Sequence, residues 1–203
     1  DLHTSPEIQV DTETSGFDCH KAKIISLQFG TSFNQYFIDC RDIDILQFQN
    51  LLETKLCILQ NSKFDYKMFK SAGIVLENIY DTMLAECVLY CGYDKWGYGL
   101  KTLVKRYCNV DLNKEEQTSF INQGTKPFTE RQIIYGLLDV TYLQTIKQEQ
   151  FKLIEKYNLN YCVDLENKVV KALGDIEYNG MILNQESWLN LYSSYENRQK
   201  ELI

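Results

Sequence analysis

Basic side chains are scarce in this sequence. Lys and Arg total 21 against 28 Asp and Glu, a formal charge of −7 over 203 residues. Affinity for nucleic acid comes mainly from Lys and Arg set against phosphates. The deficit excludes capture of a polyanion by a broad basic surface. Nucleic-acid chemistry here would need metal ions and a local basic rim, with weak binding by the isolated chain. Histidine occurs only at positions 3 and 20, which leaves carboxylates as the main ligand chemistry. The seven cysteines (19, 40, 57, 87, 91, 108 and 162) are odd in number and hold no Cys-x-x-Cys pair. Most lie among apolar neighbours, so reduced thiols are expected rather than disulfides or zinc. That points to a reducing, cytoplasmic location, nucleoid-associated in a bacterium. No signal peptide and no apolar run of about 18 residues exist, so no membrane partner is expected. Internal repeats and low-complexity segments are also missing. The first residue is Asp, not Met, so a processed chain, or one cut from something longer, is expected.

What is present can bury a core: 44% of residues are hydrophobic and 13% aromatic. Residues 7–11 alternate as a strand, and 23–30 and 34–39 read as two more, close enough for a hairpin. Helical spacing follows over 42–53, then a buried strand at 56–59. A helix is expected over 63–72, ended by Gly73, and a short strand at 79–80 leads to Asp81 as N-cap of a helix over 82–91. Residues 91–99, with three glycines and Trp96, read as a loop. Helices are expected at 100–107, 129–157, 164–178 and 185–202, the second opened by Thr129 and Gln132 as a capping box. Strands alternating with helices, then helices alone, predict an α/β fold: a mixed sheet flanked by helices, with a C-terminal helical extension. The break at 157–161 divides the chain into a unit over 1–160 and a helical tail over 161–203.

Three acidic motifs carry the chemistry. Val10-Asp11-Thr12-Glu13-Thr14 closes the first strand, Asn61-Ser62-Lys63-Phe64-Asp65 opens a helix, and Tyr135-Gly136-Leu137-Leu138-Asp139 lies within a later helix. The spacings alone mean little. Asp-x-Glu recurs at Asp164/Glu166 and Asp175/Glu177, and Tyr-x-x-x-Asp at Tyr90/Asp94 and Tyr107/Asp111. Geometry separates them. On a strand, residues i and i+2 project to one side, so Asp11 and Glu13 converge. On a helix the same spacing diverges, which makes the later pairs solvated surface. Tyr135 and Asp139 at i, i+4 share a helical face.

Crowded carboxylates repel and take up protons unless a divalent cation holds them ionised. Two such ions about 4 Å apart can clamp the attacking and leaving oxygens of a displacement at phosphorus. Hard oxygen ligands favour Mg²⁺ or Mn²⁺ over zinc. A phenol beside the last ligand can orient the attacking water.

These motifs resemble those of the DEDD 3′–5′ exonucleases, in the variant with Tyr in the third motif; the His variant would need His where Ile134 stands. Asp81-Thr82-Met83-Leu84-Ala85 and the stretch from Leu112 to Ser119 are similar to segments shared by ribonuclease D and the proofreading domains of family A DNA polymerases. The resemblance spans about residues 7–157. It implies a ribonuclease H-like fold and an enzyme that trims 3′ ends. It further implies that Asp11, Glu13 and Asp139 bind one divalent metal, and that Asp11 and Asp65 serve a second. Tyr135 and Glu13 would hold the attacking water. Phe17 would wedge against the terminal base, with Gln60 and Asn61 near its sugar and phosphate. The family more often has Leu where Phe17 stands and Ala where Gly136 stands, and Gly136 is expected to loosen the helix that carries Tyr135.

Lys63, Lys67 and Lys70 are further candidates for a DNA path, with Lys101, Lys105, Lys126 and Arg131 behind them. Tyr93, Trp96 and Tyr98 could stack on bases, although a loop packed down by its aromatics is the simpler reading. His20 reads as polar surface. Residues 164–184 are similar to the join where family A polymerases pass into their polymerase domain. That similarity implies a proofreading fragment acting on single-stranded or frayed DNA 3′ ends, with a polymerase domain in the same parent chain. The alternatives are a ribonuclease D-like or freestanding exonuclease acting on RNA, and an inactive nucleic-acid-binding scaffold.

Overall fold

The computed structural model describes residues 2–92, 97–112, 119–121 and 123–202. Alternation along β1 (Glu7–Thr14) sends Ile8 and Val10 into the core at 0% exposure. The neighbouring strands are β2 (Ile24–Gly30) and β3 (Gln35–Asp39), which form the expected hairpin. β4 (Leu56–Leu59) and β5 (Asn78–Asp81) complete a five-stranded sheet in the order β3-β2-β1-β4-β5. β1 pairs antiparallel with β2 and parallel with β4, so the sheet is mixed.

Eight helices accompany the sheet among the described residues. They are α1 (Gln49–Thr54), α2 (Lys63–Ser71), α3 (Thr82–Leu89), α4 (Leu100–Cys108), α5 (Glu130–Thr141), α6 (Leu143–Lys156), α7 (Asn160–Asn179) and α8 (Gln185–Leu202). Ile8, Val10, Leu27 and Phe29 pack with Leu52, Phe69 and Val170 in one apolar cluster. Ile58 packs with residues of α3, α4 and α6 in another. The capping box of α5 forms as expected, with Thr129 and Gln132 bonding each other's backbone. Asp81 caps α3. None of these helices is long and apolar enough to cross a membrane.

Three local expectations differ from the structure. The helix over 42–53 begins as a 3₁₀ turn at Ile45–Phe48, capped by Asp44, before α1 takes over. The helix over 129–157 is two helices meeting at Tyr142. There the Thr141 hydroxyl donates to the Leu137 carbonyl at 2.6 Å, a back-bond that bends helices without Pro or Gly. The break at 157–161 is present, but it does not release the next helix from the core. Val163, Asn167, Val170 and Gly174 of α7 are all buried, while α8 buries none of its residues.

Gly174 shows why α7 lies so close. A Cβ there would stand 2.5 Å from the ring of Tyr66 on α2. That ring is held in turn by a 2.8 Å hydrogen bond from its hydroxyl to Asp175. Overpacking of this kind costs about 1–3 kcal/mol. Gly174→Ala is therefore expected to lower the melting temperature, although Ala is the better helix former. An unchanged or raised melting temperature in a thermal scan would show that the α2–α7 contact yields.

Candidate active site

The bottom of the site is the C-terminal half of β1. Asp11 lies opposite Gln28 and Glu13 opposite Ser26 on β2, and the register slips immediately after Glu13. Such a bulge re-aims the chain at the end of its pairing. α5 crosses this part of the sheet. A Cβ on Gly136 would meet the side chains of Gln28 and Phe37 at 3.0 Å. Gly136 thus lets α5 approach closely, which presses Tyr135 and Asp139 down onto the β1 carboxylates.

The result is a trio. Asp11, Glu13 and Asp139 each bring a carboxylate oxygen within 4.8 Å of the others. Tyr135 is buried beside them, its ring 5.9 Å from that of Phe120. Burial, and then the charges of Asp139, Glu13 and Asp11, push its hydroxyl well above the usual phenol range. It therefore keeps its proton at neutral pH.

Asp65 enters from α2. It lines the same groove of about 620 Å³ but stands outside the 4.8 Å trio. It is 4% exposed, and its Oδ1 accepts a 2.6 Å hydrogen bond from Thr12. Burial raises its pKa to about 7, with a smaller push from the Asp81 charge, while the Thr12 bond opposes the rise. A neighbouring cation would favour its ionised form. The donor set is oxygen throughout, with no His or Cys in the cluster, so it fits a hard divalent ion such as Mg²⁺ or Mn²⁺.

The remaining candidates divide. Phe17 is 77% exposed at the mouth, its ring edge-on to Phe64 at 6.5 Å. Asn61 lines the groove from a left-handed turn, φ 60°. Gln60 also lines it, yet its amide is engaged within the protein. Its Nε2 donates to the Tyr98 carbonyl at 2.8 Å, and its Oε1 lies 2.5 Å from the Thr82 hydroxyl. Lys63 and Lys67 both pair with Glu177, and Lys70 pairs with Asp175. The Asp175/Glu177 pair is thus no idle surface: it holds the lysines expected to line a DNA path. Lys101 is exposed on the groove. His20 sits 2.8 Å from the Tyr178 carbonyl. Tyr98 is half-buried, and its hydroxyl donates to the Tyr90 carbonyl. Tyr93 and Trp96, and most of the stretch from Leu112 to Ser119, lie outside the described residues. Thr12 was not legible, because nothing in its strand position announces a partner 53 residues away.

A family model described as 3′–5′ exonuclease matches residues 1–155. DNA polymerase I of Aquifex aeolicus is 26% identical, the match taking in 100% of this chain and 37% of that protein. Ribonuclease D of Bartonella henselae is 25% identical over 83% of this chain and 42% of its own length. The chain therefore spans about two fifths of these curated relatives. Among solved structures, Brucella melitensis NrnC bound to pGG superposes with TM-score 0.79 at 19% identity, over 89% of this chain and 88% of that one. Escherichia coli RNase D gives TM-score 0.72 at 20% identity, over 96% and 51%. The sheet and the flanking helices agree with the family match: this chain belongs to the 3′–5′ exonuclease family and has its ribonuclease H-like fold.

Proposed function

We propose that this protein hydrolyses phosphodiester bonds at nucleic-acid 3′ ends and releases 5′-mononucleotides, using two divalent ions in the acidic groove. The observation that carries this reading is the convergence of Asp11, Glu13 and Asp139 within 4.8 Å, with Tyr135 at their side. Asp11, Glu13 and Asp139 would hold one Mg²⁺ or Mn²⁺, and Asp11 with Asp65 a second. When bound, the ions supply charge neutralisation at the attacking and leaving oxygens and make water a better nucleophile. Tyr135, fixed in its protonated form, donates a hydrogen bond that orients the attacking water, with Glu13 accepting from the same water. Phe17 stacks against the terminal base, and Asn61 meets the terminal sugar and phosphate. Gln60, with its amide already engaged, contributes by fixing that wall. Lys101 offers a cation to the phosphate backbone.

The substrate proposed first is a single-stranded or frayed DNA 3′ end, with a polymerase domain in the same parent chain. The whole-chain match to a DNA polymerase I, α7 and α8 included, supports it. A second reading, a freestanding exonuclease on RNA 3′ ends, is favoured by the ribonuclease D match and by the near-equal length of NrnC. A reducing, cytoplasmic setting suits both. The test is a 5′-labelled, 3′-recessed DNA and its RNA counterpart, incubated with Mg²⁺, Mn²⁺ or chelator. Metal-dependent trimming, faster on DNA, is expected. Faster trimming of RNA would replace the first reading by the second. Absence of any trimming that Asp11→Ala abolishes would leave a scaffold.

A further inference from the structure

The turn between β4 and α2 places Asp65, and its residues are held from outside it. Asn61 sits at φ 60°, and Ser62, where α2 begins, makes no side-chain cap to its own helix. Both are held from elsewhere. Asp81, at the end of β5, is 1% exposed and collects five donors. Its Oδ1 accepts from the backbone N–H of Asn61 at 3.1 Å, Met83 at 2.8 Å and Leu84 at 3.3 Å. Its Oδ2 accepts from the backbone N–H of Ser62 at 2.6 Å and from the Ser62 hydroxyl at 2.7 Å. Asp81 is fixed in turn by α7, since its own N–H donates to Asn167 Oδ1 at 2.7 Å.

We propose that Asp81 is a positioning residue for the hydrolytic reaction: one carboxylate caps α3 and clamps the Asn61–Ser62 turn, and so sets where Asp65 stands in the groove. This rests on the metal-dependent reading above. Helix capping alone needs only Oδ1. The second oxygen spends both its contacts on the turn that leads to Asp65. An N-cap that served α3 alone would leave Ser62 to cap its own helix.

The two oxygens give a variant that separates these roles. In Asp81→Asn the remaining oxygen is best used toward Asn61, Met83 and Leu84, which keeps the α3 cap. The new amide then faces the Ser62 N–H, donor against donor, so the Ser62 half of the clamp is lost while Asn61 keeps its bond. On the 203-residue chain, kcat for 3′ trimming is expected to fall about 10–100-fold, in the range seen when groups that orient metal ligands or reactants are lost. KM should change little. The Mn²⁺ concentration that gives half the maximal Mn²⁺-induced rise in melting temperature should increase several-fold. That second readout needs no substrate, and loss of packing alone would lower the melting temperature without moving it. An Asp81→Asn protein within about twofold of the wild type in kcat, with an unmoved Mn²⁺ midpoint, overturns the proposal. If instead the wild type shows no trimming that Asp11→Ala abolishes but its Mn²⁺ midpoint still shifts with Asp81→Asn, the positional role stands and the hydrolytic reading fails.

Discussion

Asp11→Ala is expected to reduce 3′ trimming by about 10³-fold or more, since losing several kcal/mol of charge stabilisation costs a factor of ten per 1.36 kcal/mol. Asp11 belongs to the 4.8 Å trio and is the residue assigned to both ions. Without it neither of the proposed ions would keep its full ligand set. Asp139→Ala and Asp65→Ala should follow closely. The fold should not suffer, because Asp11 is half-buried beside other carboxylates and its removal relieves repulsion. A melting temperature at or above the wild-type value, with activity gone, is the expected pair of results. Tyr135→Phe makes the contrast. In the proposed role its protonated hydroxyl orients water, so a loss of about tenfold is expected, short of the 10²–10⁴ that a general base supplies. A loss as complete as that of the aspartate variants would contradict this division of labour.

Arg106→Ala is expected to be strongly destabilising although it lies away from the groove. Glu86 on α3 is 0% exposed, and Arg106 pairs with its carboxylate. The Tyr107 hydroxyl and Gln150 Nε2 complete the site at 2.7 and 2.8 Å. Removing one partner of a buried pair costs about 3–5 kcal/mol, because the other charge stays in the low-dielectric interior. At about 2–4 °C per kcal/mol for a chain of this size, the melting temperature should drop by about 6–20 °C. Glu86→Leu combined with Arg106→Leu should recover only part of the loss, since it removes the stranded charge but also takes the acceptor from the Tyr107 hydroxyl and Gln150 Nε2. A drop under about 2 °C for Arg106→Ala would show that water reaches Glu86.

Much of this architecture could be read in advance, and particular residues show why. Ile8 and Val10 alternate with polar neighbours, and period two marks a strand with one apolar face. Thr129 and Gln132 announce a helix start because a capping box satisfies two orphan donors with residues three apart. Asp11 with Glu13, and Tyr135 with Asp139, are also local: strand pleat and helical pitch put each pair on one side before any tertiary contact exists. The Thr141 back-bond that divides α5 from α6 was hidden, since a threonine can turn its hydroxyl either way.

Local chemistry along the chain thus determined the element types, the two converging pairs and the oxygen-only ligand set, because these depend on neighbours within about one helical turn. The tertiary structure decided what depends on distant segments meeting. Gly136 was legible as a helix weakness, and only the packing of α5 on β2 and β3 revealed it as the close contact that seats Tyr135. The lysines of α2 were legible as cations, and only the crossing of α7 gave them to Asp175 and Glu177. Asp81 was legible as a helix cap, and only the juxtaposition of β4 and β5 turned its second oxygen toward Ser62. A hydrogen bond between residues far apart in sequence leaves no periodic trace, so it becomes visible only once the chain has folded.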